Sequence, residues 1–211
     1  RMLAKSLELV EQWDGPHILD LASAAGEPAL SLWRHMPTAD IVATDYAATN
    51  TILGRSRAYR AGSDVVFQFA DMEDLQFDDD AFDLVTCCLG LMYVDRAEAI
   101  PEMFRVVKPE GSVLAAVHAS DSDFHVPYLA AVRKVLGDKT DDADRVPDNM
   151  GTRPLNLGKE GMLTKEFEEA GFENVRCEGF EFPIASKGGV DEAWDRVKSP
   201  LVHLLEVLQE Q

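Results

Sequence analysis

A chain of 211 residues with 46% hydrophobic content can bury one sizeable core but not two ordinary ones, which predicts a single domain over 1–211. Asp and Glu number 38 against 20 Lys and Arg, and the formal charge of −18 excludes a nucleic acid backbone or other polyanion as a favoured partner, leaving solubility or a salt-rich habitat as the plain reading. Three cysteines, Cys87 and Cys88 adjacent and Cys177 distant, form neither a disulfide framework nor a metal-ligand spacing, so no metal and a reducing, cytoplasmic-type compartment are expected.

The first 12 residues lack the apolar core of a signal peptide, and no run of about 18 apolar residues predicts a membrane span. The abrupt start on Arg1 and the apolar-periodic end LVHLLEVLQ make either terminus a candidate processed or trimmed boundary. HILDLA (17–22) is a short apolar run closed by an acid and small residues, and the amphipathic EPALSLWRHM (27–36) follows it: strand, tight loop, helix. ADIVATD (39–45) predicts a second strand, and 47–61, with Ile52, Leu53 and Tyr59 at helical spacing, a helix stopped at Gly62. DVVFQFA (64–70) and AFDLVTCC (81–88) are the third and fourth strands, the latter after the acidic turn Asp78 to Asp80. AEAIPEMFRVV (97–107) is a helix that Lys108-Pro109-Glu110-Gly111 ends, and SVLAAVHA (112–119) is a fifth strand.

Residues 120–158, rich in Asp, Gly and Pro, break the rhythm and predict an insertion or lid. GMLTKEFEEAGF (161–172) predicts a last helix, and NVRCEGFEF (174–182) with PIAS (183–186) two more strand-like pieces. The alternation predicts an α/β, Rossmann-like, doubly wound and mostly parallel sheet with helices on both faces. Such a sheet binds ligands at the carboxyl ends of its strands, where the strand order reverses.

Chemistry-bearing residues collect at those ends. Asp20 to Glu27 is a loop of small residues, among them Ala22, Ser23, Ala24 and Gly26, that lets backbone pass close to a ligand. It lacks the GxGxxG dinucleotide pattern, which disfavours a nicotinamide dehydrogenase, and Glu27 puts a negative charge where a pyrophosphate would sit. Asp45, followed by Tyr46, ends the second strand and can accept from a ribose diol or cap a helix. Asp71, past the third strand, can accept from an adenine amino group with Met72 flanking the ring, or be a solvated acid.

The segments ILDLASAAGEPAL, ATDY and FQFADMEDLQFDDDAFDLVTCCLGLMYVDRAEAIPEMFRVVKPEGSV together resemble the class I methyltransferases related to the ubiquinone and menaquinone biosynthesis enzymes, over about residues 16–118. The most specific stretches are DMEDLQFDDDAFDLVT, GLMYV and EMFRVVKPEG. The resemblance implies S-adenosylmethionine as cofactor, with the Asp20 to Gly26 loop at its methionine part, Asp45 at the ribose, Asp71 and Met72 at adenine, and Cys87 and Cys88 beside it near the acceptor. It also implies a seven-stranded sheet closed by a C-terminal antiparallel hairpin.

The family's usual glycine is replaced by Ala24, and often-seen glycine by Ala22. A positive φ at Ala24 would cost roughly 1 to 2 kcal/mol. The acceptor is expected to be a small organic molecule, methylated by in-line displacement. His118, ending the fifth strand, and His125 are the base candidates, needed only for a poor nucleophile. Cys87 and Cys88 read more simply as packed apolar groups than as nucleophiles. The second reading is a catalytically impaired cofactor-binding protein with a regulatory or scaffolding role, motivated by Ala24 and the lack of an obvious base.

Overall fold

A computed structural model describes residues 2–117 and 161–179. Almost all of these lie in the unit Arg1–Cys177. In chain order the elements are α1 (Met2–Val10), β1 (His17–Leu21), α2 (Ala29–His35), β2 (Asp40–Asp45), α3 (Ala48–Ala61), β3 (Val66–Phe69), β4 (Phe82–Cys88), α4 (Arg96–Val106), β5 (Val107–Ala116) and α5 (Met162–Glu169). The strands pair in parallel in the order β3-β2-β1-β4-β5, so the order reverses between β1 and β4.

Two apolar layers explain why near-continuous apolar runs make these strands. Alternate residues of a strand face opposite sides. Ile18 and Leu84 pack with Ile41, Ala43 and Phe67 against Val10 of α1, Ala29, Leu30 and Leu32 of α2 and Ala58 of α3. Leu19, Leu21, Val85 and Cys87 pack on the other face against Ile100 and Met103 of α4 and Phe167 of α5. A sheet covered on both faces has no polar side to alternate toward, which is why β4 is buried over nearly its whole length.

The α/β doubly wound expectation holds in its parallel five-stranded part among the described residues. The expected two last strands are not formed there: residues 175–179 of NVRCEGFEF carry no strand, and 180–186 lies outside the described residues, as do the lid at 120–158, His118 and His125. Other boundaries shift for local reasons. The second helix starts at Ala29 rather than Glu27, and α1 was not anticipated. The turn expected at Lys108 to Gly111 is instead a bulge inside β5, whose pairing moves from Phe82↔Val107 to Leu84↔Ser112.

Side-chain clamps fix the connections around the start of β4. Every N–H of the Arg105 guanidinium is used: Nε and one Nη2 bond reach Glu102, while Nη2 also donates to the Leu75 carbonyl and Nη1 to the Phe77 carbonyl and Asp79. Glu102 in turn accepts the Leu75 N–H at 2.7 Å. This braces the 71–80 segment against α4, a task for which only arginine has enough rigidly placed donors. Also beside the start of β4, Asp83 bonds the His17 N–H and Lys108 Nζ, both at 2.8 Å. Burial would raise its pKa, but the Lys108 and His17 contacts outweigh burial and hold it below the ordinary carboxylate value.

Candidate functional site

The loop after β1 is the tightest piece of backbone at the switch point. Ala22 has φ 51°, Ala24 φ 47° and Gly26 φ 108°. Alternating left-handed residues turn the chain sharply, and two of the three carry a methyl where glycine would be unstrained. Such strain persists only where neighbours hold it, and three do so here. Ser23 N–H donates to the Thr44 carbonyl at 2.8 Å, Ala24 N–H to Asp45 Oδ2 at 2.9 Å, and Arg57 Nη1 to the Ala25 carbonyl at 2.7 Å. An Ala24→Gly variant is expected to raise unfolding free energy by about 0.5 to 1 kcal/mol, the relieved strain exceeding glycine's extra chain entropy. Chemical denaturation checks this; a loss of stability would mean the φ at 24 is not maintained.

Glu27, expected to repel a pyrophosphate, is not a free charge. Its carboxylate bonds the Ser31 hydroxyl at 2.5 Å and pairs with Arg57 at 3.3 Å and Arg34 at 3.7 Å. The exclusion of a dinucleotide therefore rests on the loop's backbone pattern rather than on that charge.

Asp20 is wholly buried and is a structural clamp rather than a wall of an open cleft. Its Oδ1 accepts the Thr86 hydroxyl at 2.7 Å and its Oδ2 the Ala29 N–H at 3.2 Å, joining β1, β4 and the start of α2. Burial pushes its carboxyl up to about 6, with the Thr86 and Ala29 bonds limiting the rise. Because the folded value exceeds the unfolded one of 3.8, ionised Asp20 destabilises the fold above pH 6, and that cost is relieved as pH falls toward 3.8. The stability gap between the unaltered chain and Asp20→Asn should shift in favour of the unaltered chain by about 2 to 3 kcal/mol between pH 7 and pH 4. A gap independent of pH would show that Asp20 titrates normally.

Asp45 sits at the end of β2, half-buried. Its Oδ1 accepts the Ala47 N–H at 2.8 Å and the Asn50 side-chain amide at 3.0 Å, which closes the turn leading from β2 into α3, while Oδ2 holds the loop. Tyr46 beside it is 69% exposed and tilts against exposed Phe69 of β3, ring centroids 5.5 Å apart. Asp71 uses Oδ1 to accept the Glu73 N–H at 3.0 Å and keeps Oδ2 free of hydrogen bonds among the described residues.

Two residues expected at the cofactor lie deeper. Met72 is 8% exposed and packed in the α4-side core, because the side chain after Asp71 turns inward. Cys87 is fully buried, and burial, with Asp20 adding to it, pushes its thiol up to about 12 against the opposing backbone hydrogen bonds of Gly90 and Leu91. It is a packed apolar group, since β4 alternation points it into that same core. Cys88 faces the other way, half-buried, its thiol also raised, first by burial and then by Asp20.

What sequence reasoning missed is the connection from β4 to α4. Leu89 has φ 64°, and its N–H donates to the Ala116 carbonyl at 2.8 Å. Gly90 lies under the loop: a Cβ there would come within 2.6 Å of Ala22 Cβ and 2.7 Å of Cys87 Sγ. The GLMYV stretch carried the only sequence signal for it. Tyr93, two residues before the Asp95 cap of α4, is 69% exposed.

Thus the 22–26 loop, Asp45, Asp71 and the 88–93 connection meet at the carboxyl ends of β1 to β4. The methyltransferase domain family matches residues 18–111, the stretch that builds this arrangement. Over residues 18–111 the chain matches a methyltransferase domain, in line with the class I resemblance. That class uses S-adenosylmethionine, as the resemblance implied. Among curated proteins, the demethylmenaquinone methyltransferase of Thermus thermophilus is 34% identical over 115 residues, covering 54% of this chain and 52% of that one. The ubiquinone/menaquinone biosynthesis C-methyltransferase of Stutzerimonas stutzeri is 29% identical over 183 residues, covering 81% and 70%. A solved SAM-dependent methyltransferase from Methanosarcina mazei shares the fold at TM-score 0.52, with 21% identity over 63% of this chain and 64% of that one. The chain spans about half the length of several of these curated relatives, such as 52% and 43% of two of them. Among the described residues no helix of the methyltransferase domain is long and apolar enough to cross a membrane, and none of its His, Cys, Asp and Glu groups could hold a metal ion.

Proposed function

We propose that this chain transfers a methyl group from S-adenosylmethionine to a small organic acceptor by in-line displacement, with a quinone-type ring as the acceptor class. The observation that carries the reading is the meeting of the strained 22–26 loop with two carboxylates, Asp45 and Asp71, beside the reversal in strand order. The residues fit the cofactor's chemistry. Asp71 Oδ2 is available to an adenine amino group, the exposed Tyr46 ring to the adenine face, and Asp45 Oδ2 retains a free lone pair for a ribose hydroxyl.

S-adenosylmethionine, when bound, supplies a methyl group already activated on a cationic sulfonium. The protein's work is alignment and exclusion of water. The Ala22–Gly26 backbone passes close to the methionine end, and the buried Asp20 clamp keeps that loop from moving. On the acceptor side, Cys88, Leu89 and Tyr93 offer a wall without a charged group, suited to an apolar ring. The raised Cys88 thiol stays protonated near neutral pH and does not compete as a nucleophile. His118 and His125 are proposed as the groups that take a proton where the acceptor is a carbon acid; alanine variants read by pH–rate profile assign that role. The acceptor class is drawn from the names of the quinone-modifying relatives.

Calorimetric titration with S-adenosylhomocysteine, followed by transfer of labelled methyl to demethylated naphthoquinone and benzoquinone precursors, tests the proposal. Saturable binding and ring methylation are expected. No binding at millimolar ligand would sink the cofactor reading. Binding with no transfer to these rings or to a broad screen of phenols would favour a non-catalytic role.

A further inference from the structure

We infer that Asn50, in the first turn of α3, is the second acceptor for the ribose diol, acting beside Asp45. The inference rests on the ribose reading of Asp45 given above. A carboxylate offers about four lone-pair positions. In this chain Ala24 N–H takes one on Oδ2, and Ala47 N–H and the Asn50 amide take two on Oδ1. One position is left, on Oδ2, while a ribose diol brings two hydroxyl donors.

The protein contacts on Asp45 are not easily surrendered. The Ala47 bond closes the turn into α3, and the Ala24 bond restrains a loop residue at φ 47°. Releasing either would leave the turn into α3 or a strained loop without its partner. The second hydroxyl therefore needs another oxygen within reach of the first.

Asn50 provides it. Facing a carboxylate that can only accept, its amide must present the NH₂ group, which it does at 3.0 Å from Asp45 Oδ1. That orientation commits the amide carbonyl to point elsewhere, and Asn50 Oδ1 accepts no hydrogen bond from any described residue. Asn50 is half-buried, so its side chain is held by α3 while one edge stays reachable. The Asp45–Asn50 pair is a split site: the carboxylate takes one hydroxyl and the amide oxygen the other. It also makes the site selective for an intact diol, since loss of one hydroxyl leaves one acceptor unused.

The test compares the unaltered chain with Asn50→Ala, titrated with S-adenosylhomocysteine and with its 2′-deoxy and 3′-deoxy analogues, alongside thermal unfolding of each protein. Asn50→Ala should bind S-adenosylhomocysteine about 10-fold more weakly, as expected for one neutral hydrogen bond in a half-buried site. One of the two deoxy analogues, the one lacking the hydroxyl that meets Asn50, should bind both proteins equally. An equal loss for all three ligands would show that Asn50 acts only through the shape of Asp45, and no loss for any would show that it does not touch the ribose; either overturns the inference. Failure of the unaltered chain to bind S-adenosylhomocysteine would overturn the cofactor reading as well, so the two failures are told apart.

Discussion

Gly90→Ala is expected to melt well below the unaltered chain and to lose most of its affinity for S-adenosylhomocysteine. A Cβ at this position would lie 2.6 Å from Ala22 Cβ, 2.7 Å from Cys87 Sγ and 3.2 Å from Met72 Cε. None of the first two can retreat. Ala22 is held at φ 51° by its own loop, and Cys87 is a fully buried strand residue. The backbone at 88–91 must therefore move away from the loop, at a cost of about 1 to 3 kcal/mol, the usual penalty for overpacking a filled core. The same movement opens the packing between 88–91 and the 22–26 loop that the methionine end is proposed to meet, so binding falls with stability. Thermal unfolding and calorimetric titration read the two effects. A variant with unaltered melting and affinity would show that the three connections are less tightly packed than their geometry indicates. Serine at 90 should behave like alanine, because the obstacle is the β-carbon.

Asp45→Ala should weaken S-adenosylhomocysteine binding by about 1 to 3 kcal/mol, through loss of a charge-assisted hydrogen bond to the ribose. A second contribution comes from the protein itself. Removing the carboxylate strips the Ala24 and Ala47 N–H groups and the Asn50 amide of their common partner. The loop then holds two left-handed alanines with one restraint fewer, and the turn into α3 loses its Asp45 hydrogen bonds. Affinity should fall more than stability, because the unpaired N–H groups at this half-buried site can turn to water whereas the ribose contact has no substitute. Unchanged affinity in the titration would place the ribose elsewhere. Introducing Ala24→Gly into the Asp45→Ala background separates the two contributions: glycine should recover part of the lost stability and none of the lost ribose contact.

Both predictions depend on residues whose type was visible in the chain but whose role was not. Asp45 stood out as an acid at a strand end, yet its three protein partners come from two different connections, and no spacing rule announces them. Gly90 belonged to a recognisable stretch, but its need to be glycine comes from Ala22, Cys87 and Met72, which are remote from one another in the chain. Met72 and Cys87 were expected at the cofactor because they follow or end strands. Strand parity turns Cys87 into the core instead, and the turn after β3 does the same for Met72.

The sequence by itself determined the alternation of strands and helices, the parallel sheet, the cluster of acids at strand ends and the methyltransferase family, because apolar periodicity and a long matching segment are local properties of the chain. It even posed the question of Ala24 correctly. Only the tertiary structure decided that Ala22 and Ala24 both adopt positive φ, that Glu27 is neutralised by Arg34 and Arg57, that Asp20 is a buried clamp and that Asp45 has nearly filled its lone pairs. Each of these depends on which groups meet between connections that are distant in the chain, as Asp20 meets Thr86 across the reversal and Asp45 meets Ala24 beside it. Hydrogen-bond capacity and packing space belong to neighbours in space, and those neighbours exist only once the sheet has formed.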